Sequence, residues 1–90
     1  MAKNRIIPEN LKTGTIILVR WNDTHMDAKW RTKDEFDNLH VTPICTVGFF
    51  FSADDKELKL NHSLSNDDDY DGTAIPIGCI TKIERIELRR

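Results

Sequence analysis

The sequence predicts a mainly β fold: a small, partly closed five-stranded barrel with one short α-helix. Three observations carry this reading. Runs of β-branched and aromatic residues at 15–21, 41–51 and 73–77 have strand composition. One segment, opening at Thr32, carries helix-start chemistry. A chain of 90 residues has room for one core, so its sheet must curl to hide an apolar face and two edges. A flat sheet with the helix packed on it is the second architecture.

Each element follows from local chemistry. Thr15-Ile16-Ile17-Leu18-Val19-Arg20-Trp21 follows a turn at Lys12-Thr13-Gly14, and its apolar run is continuous, as in a strand covered on both faces. Thr32-Lys33-Asp34-Glu35 fits a capping box: the Thr32 hydroxyl accepts from the third helical amide and Glu35 reaches back. Phe36 and Leu39 lie three apart, so the helix is expected over about 33–39 with one narrow buried face, stopped before Pro43. Residues 41–51 form a long strand with a bulge or bend at Gly48. Ala53-Asp54-Asp55-Lys56 is a turn, and Glu57-Leu58-Lys59-Leu60-Asn61 alternates as a half-buried strand, completing a hairpin. A polar loop covers 66–72 and a strand covers 73–77. Ile80, Ile83 and Ile86 recur every three residues, which places a 3₁₀ turn near 78–83 and a last short strand where Leu88 alternates with Ile86. The barrel thus spans 15–88 of a single domain, 1–90, with 1–14 as an N-terminal segment. A five-stranded barrel of this order is of SH3-like or Sm-like type.

Composition excludes several classes. Charged residues are 31% and hydrophobic residues 39%, too apolar for disorder and too varied for a fibre. No apolar run reaches the ~18 residues of a membrane span, and Ile6-Ile7-Pro8 is no signal-peptide core, so a cytoplasmic protein without membrane attachment is expected. The net charge of −2 gives no basic field to draw nucleic acid. Residues 1–45 hold seven Lys/Arg against six Asp/Glu, and 46–90 hold six against nine.

Trp21-x-Asp23, Trp30, Thr46-Val47-Gly48-Phe49, Ser63-Leu64-Ser65 and Ile75-Pro76-x-Gly78-Cys79-Ile80-x-x-Ile83 together resemble a group of small uncharacterised phage and prophage proteins. The similarity covers about residues 15–88, and the segment from Ile75 also looks like the 3₁₀ turn of SH3-like barrels. The resemblance implies a phage-derived accessory protein, in the cytoplasm of a host cell, and carries over no active-site residue.

Five constellations bear on chemistry. Arg20, Trp21, Lys29, Trp30, Arg31 and Lys33 place two aromatics among four cations, with His25 between; aromatic faces stack bases and guanidinium pairs phosphate. The competing reading has Trp21 closing a strand into the core and Trp30 stapling its loop to the barrel. Asp23, Asp27, Asp34, Glu35 and Asp37 interleave with these cations, which a small anionic ligand tolerates better than duplex DNA does. Asn61, Ser63 and Ser65 offer neutral hydrogen bonds to the same ligand. Asp67, Asp69 and Asp71 ahead of Gly72 follow a calcium-loop spacing, but position 12 is Gly78 where a bidentate Glu belongs; turn chemistry accounts for the same residues. Cys45, Cys79 and the three His lack zinc spacing, and both Cys read as small buried hydrophobes, so no metal or other cofactor is expected. Ser63, Ser65, His25, His62 and the Asp residues include the types of a hydrolase triad without any nucleophile elbow. Phe49-Phe50-Phe51 puts rings on both faces of one strand, so Phe50 is expected either exposed, as an interface, or covered by the helix.

The function these features imply is non-catalytic: a phage-type anti-defence sponge that sequesters a small phosphorylated nucleotide signal in a homo-oligomer. Trp21 or Trp30 would stack the base, and Arg20, Lys29 or Arg31 would pair the phosphate. The alternatives are an Sm-like nucleic-acid-binding module, which the acidic balance disfavours, and a protein–protein adaptor or virion-associated subunit that engages a host or phage protein.

Overall fold

A computed structural model describes residues 6–24, 30–67 and 69–88. Five antiparallel strands form one sheet: β1 (Ile16–Asp23), β2 (Thr42–Ala53), β3 (Glu57–Leu64), β4 (Tyr70–Pro76) and β5 (Ile80–Arg85), in the order β4-β3-β2-β1-β5. One helix, α1 (Lys33–Asp37), lies between β1 and β2, and a 3₁₀ turn, Ile77–Cys79, joins β4 to β5.

That turn explains why the sheet curls. β4 and β5 are its opposite edges. Laid flat, five strands would hold those edges ~19 Å apart, but the four steps from Pro76 to Ile80 reach at most ~14 Å. The edges are therefore drawn together without pairing, giving a partly closed barrel. Ile77 is pinned there by its amide, which donates to the Lys56 carbonyl at 2.9 Å.

The interior takes residues from every strand and from the turn. Ile17 and Val19 of β1, Phe50 of β2, Leu58 and Leu60 of β3, Ile75 of β4, Ile77, and Ile80 of β5 form the buried core. The period-2 alternation of β3 sends Leu58 and Leu60 inward and Lys59 outward. On β1, Ile17 and Val19 are fully buried while Ile16 and Leu18 are half-buried, so the continuous apolar run has one dry face and one partly covered face. Ile6, Ile7 and Leu11 also pack on the core. The segment before β1 is tied down by Gly14 N to Phe50 O and Phe50 N to Thr15 O, both 2.7 Å, and by the Thr13 hydroxyl on the Phe51 carbonyl at 2.8 Å.

The β2–β3 turn is built by one carboxylate. Asp54 Oδ1 accepts from the amides of Lys56 and Glu57, each at 2.8 Å. The Glu57 bond first, then the Lys56 bond, holds the Asp54 carboxyl below its usual pKa.

Several expectations need correction. The capping box is present as read, with Glu35 N on Thr32 Oγ1 at 3.2 Å and Thr32 N on Glu35 Oε1 at 3.3 Å. Yet α1 stops at Asp37, not 39, because the Asn38 side-chain amide takes the Asp34 carbonyl at 2.9 Å and ends the turn. It buries no residue: Phe36 is 65% exposed and Leu39 41%. The bulge in β2 is not at Gly48 but between Phe50 and Ser52. Gly48 is instead a close-approach site, where a Cβ would lie 2.9 Å from the Asn61 carbonyl oxygen. The 3₁₀ turn precedes the Ile80–Ile83 pair, so β5 begins at Ile80 and Ile86 and Leu88 lie beyond it. β3 runs on to Leu64 and β4 starts at Tyr70, so the polar loop ends three residues earlier than read.

Candidate functional site

The Arg20–Trp21 cluster is only partly assembled. Arg20 pairs with Cys45 on β2, and Trp21 pairs with Ile44. Alternation turns Trp21 toward the core and Arg20 away from it. The Trp21 indole N–H donates to Thr46 Oγ1 at 2.9 Å, and the ring packs on the core, as in the strand-closing reading. Arg20, Trp21, Pro43, Cys45 and Thr81 line an open cleft of about 220 Å³. Its cation is shared: Arg20 Nε lies 4.0 Å from Glu84 Oε1, and the same oxygen lies 3.3 Å from Lys82 Nζ. Trp30 is fully exposed, so it does not staple its loop to the barrel. Arg31 is half-buried and already engaged. Lys29 and His25 lie outside the described residues.

A second cleft, of about 240 Å³, opens on the outer face of β2, β3 and β4. Phe51, Lys59, Asn61, Tyr70 and Gly72 line it. Three local features build it. Alternation about the inward-facing Phe50 puts Phe51 on this face, and the bulge that follows leaves Phe51 without a register partner on β3. Lys59 and Asn61, two apart on β3, share a side of the sheet. Gly72 stands opposite Asn61 and brings no side chain to fill the space between. The Phe51 and Tyr70 rings meet edge-to-face, with centroids 5.3 Å apart and planes at 64°.

Asn61 is the unusual member. It is the only buried polar residue among those described, at 8% exposure. Its backbone joins the β3 ladders, but its side-chain amide makes no hydrogen bond among the described residues. It lines the cleft, and since neither its side-chain oxygen nor its nitrogen is both sealed off and unpaired, the amide stands open to the space there. The register separates it from Trp21 by five residues along the sheet and two strands across, roughly 20 Å at standard strand spacings. The grouping of Trp21, Arg20 and Asn61 in one site is therefore corrected to two clefts.

The remaining candidates disperse. Ser63 is exposed opposite Asp71, and the exposed Ser65 Oγ accepts from the Asp67 amide at 3.1 Å. His62 Nε2 lies 2.7 Å from Thr73 Oγ1 and Nδ1 lies 3.9 Å from Asp71 Oδ1, so this imidazole is committed to Thr73 and Asp71, not to Ser63 or Ser65. Among the described residues no three His, Cys, Asp or Glu side chains form a metal-holding group, and Asp67, Asp69 and Asp71 do not converge as a calcium loop would require. Asp68 lies outside the described residues. Cys45 is exposed, not the buried hydrophobe expected, because it sits on the outer face of β2 opposite Arg20; Cys79 is half-buried, and both are free thiols. Phe50 is corrected too. It is 7% exposed, on the inner face opposite Leu60, so it is neither an interface nor dependent on α1 for cover.

Sequence reasoning missed Phe51, Lys59 and Tyr70. The run Phe49-Phe50-Phe51 signalled that rings leave the core, but a run of three rings does not say which parity faces inward; the pairing of Phe50 with Leu60 puts Phe50 inside and Phe51 outside. No family model, curated protein or solved structure matches the chain. Among the described residues no helix is long and apolar enough to cross a membrane.

Proposed function

We propose that this chain is a non-catalytic, phage-type accessory protein that sequesters a small phosphorylated nucleotide signal, with the nucleotide seated in the Phe51–Tyr70 cleft. The observation that carries the reading is Asn61, a residue only 8% exposed whose side-chain amide has no hydrogen-bond partner among the described residues and opens into an aromatic-lined space. One ring face stacks a base, Lys59 supplies a point charge for phosphate, and Asn61 supplies the polar contact. The volume of about 240 Å³ lies below the ~300 Å³ at which drug-sized sites begin. One copy thus encloses a single base with its phosphate at the rim, and a signal with several bases would engage several copies of the chain. The resemblance to phage proteins supports a role against host defence, in the host cytoplasm. Calorimetry and thermal shift with a panel of cyclic di- and trinucleotides test this. Heat and a raised Tm with at least one, lost in Lys59→Ala, support it; no heat and no shift across the panel remove it.

A second reading, an adaptor that engages a host or phage protein, draws on a different observation. Trp30, Phe36 and Val41, on the β1–β2 connection, are 100%, 65% and 48% exposed. It predicts co-purification with one such protein, abolished by Trp30→Ala, and indifference to nucleotides.

A further inference from the structure

The Asn61 amide presents one acceptor and two donors, and no other side chain among the described residues occupies them. Lys59 brings only donors, the Thr73 hydroxyl that also lines the cleft is engaged by His62 Nε2 at 2.7 Å, and no other lining side chain is an amide. A base lying flat on a ring face must therefore offer Asn61 a donor beside an acceptor along one edge. Adenine does so on both of its free edges, through N6–H with N7 and N6–H with N1. Guanine offers N7 and O6, two acceptors, on one edge and a donor–acceptor pair only on the other. The edge-to-face rings, 5.3 Å apart, leave no slot for a base between them, so the base rests on one ring and selection falls to its edge.

We infer that Asn61 is a specificity-determining residue and that the cleft selects adenine over guanine nucleotides. This rests on the nucleotide reading above. The test titrates the full chain by calorimetry, at fixed salt, with three cyclic dinucleotides of identical backbone that bear adenine, guanine or N6,N6-dimethyladenine. The expected result is that adenine binds about ten- to a hundredfold more tightly than the dimethyl analogue, which has lost the donor on both edges, and more tightly than guanine, which keeps the pair on one edge only. Asn61→Ala should bring adenine affinity down to that of guanine, while Lys59→Ala weakens both bases alike. The dimethyl ligand acts on the unaltered protein, so the test survives if Asn61→Ala fails to fold. Equal affinity for adenine and guanine, or for adenine and its dimethyl analogue, overturns the selectivity and leaves nucleotide capture standing. No binding by any of the three overturns both.

Discussion

Gly72→Ala should be the most damaging single methyl in this protein. A Cβ at Gly72 would lie 1.8 Å from the Leu60 carbonyl oxygen and 3.2 Å from the Asn61 Cα, both backbone atoms that cannot rotate away. β4 must back off β3 by more than 1 Å beside the existing irregularity between Asn61 and Ser63. Overpacking of this kind costs about 1–3 kcal/mol, and one or two stretched ladder bonds add about 0.5–1.5 kcal/mol each. Restricting the unfolded chain returns about 0.4–1 kcal/mol. The net loss is about 2–4 kcal/mol, a large share of the 5–15 kcal/mol typical of a domain, and a fall in Tm of roughly 10–25 °C. Urea unfolding followed by the fluorescence of half-buried Trp21 reads it as a lower midpoint. Gly78→Ala is the control, because a Cβ there meets nothing within 4 Å. If Gly72→Ala unfolds within about 0.5 kcal/mol of Gly78→Ala, the close approach of β3 and β4 is wrong, and the cleft beside it falls as well.

Further outcomes follow from other features. Thr32→Ala removes the hydroxyl that accepts from the Glu35 amide and donates to Glu35 Oε1, but α1 buries nothing, so amide exchange at Glu35 and Phe36 should quicken while the global unfolding midpoint stays put. Trp21→Phe keeps most of the ring's packing and loses the bond to Thr46, so it should cost about 0.5–1.5 kcal/mol in chemical denaturation. Asp54→Ala should destabilise the hairpin at neutral pH. Because the folded Asp54 pKa is depressed, that contribution is present above the ordinary Asp range and is lost as pH falls through the folded value. The gap between Asp54→Ala and the parent should close on acidification, and a gap constant down to acid pH would refute the assignment. Acrylamide should quench the emission of Trp30 far more than that of Trp21, as Trp30→Phe would show.

The fold was legible because its signals are local and agree with one another. The β-branched run of β1, the alternation at Glu57-Leu58-Lys59-Leu60 and the Thr32–Glu35 box each point to the element that forms. The site was not, because it depends on register. Whether Phe50 or Phe51 faces outward is decided by which parity of β2 meets the inward residues of its neighbours, Gly48 with Ile17 and Phe50 with Leu60, and three rings in a row do not announce it. The proximity of Phe51 and Tyr70 is a pairing across three strands. The Arg20–Trp21–Trp30 cluster is dense in sequence but scattered in space, since neighbours on a strand face opposite ways and Trp30 is fully exposed. Asn61 could be flagged as a hydrogen-bonding residue, but the space beside it exists only because the register sets Gly72 opposite.

The short link between β4 and β5 also governs how this molecule would fail. It tethers the two unpaired margins of the sheet at arm's length from one another, so each shields the other from foreign strands. Lengthening it by a handful of glycines would leave every ladder intact and still uncoil the ribbon. Such a variant would trade mutually guarded margins for a sticky template, prone to swapped dimers and fibrils.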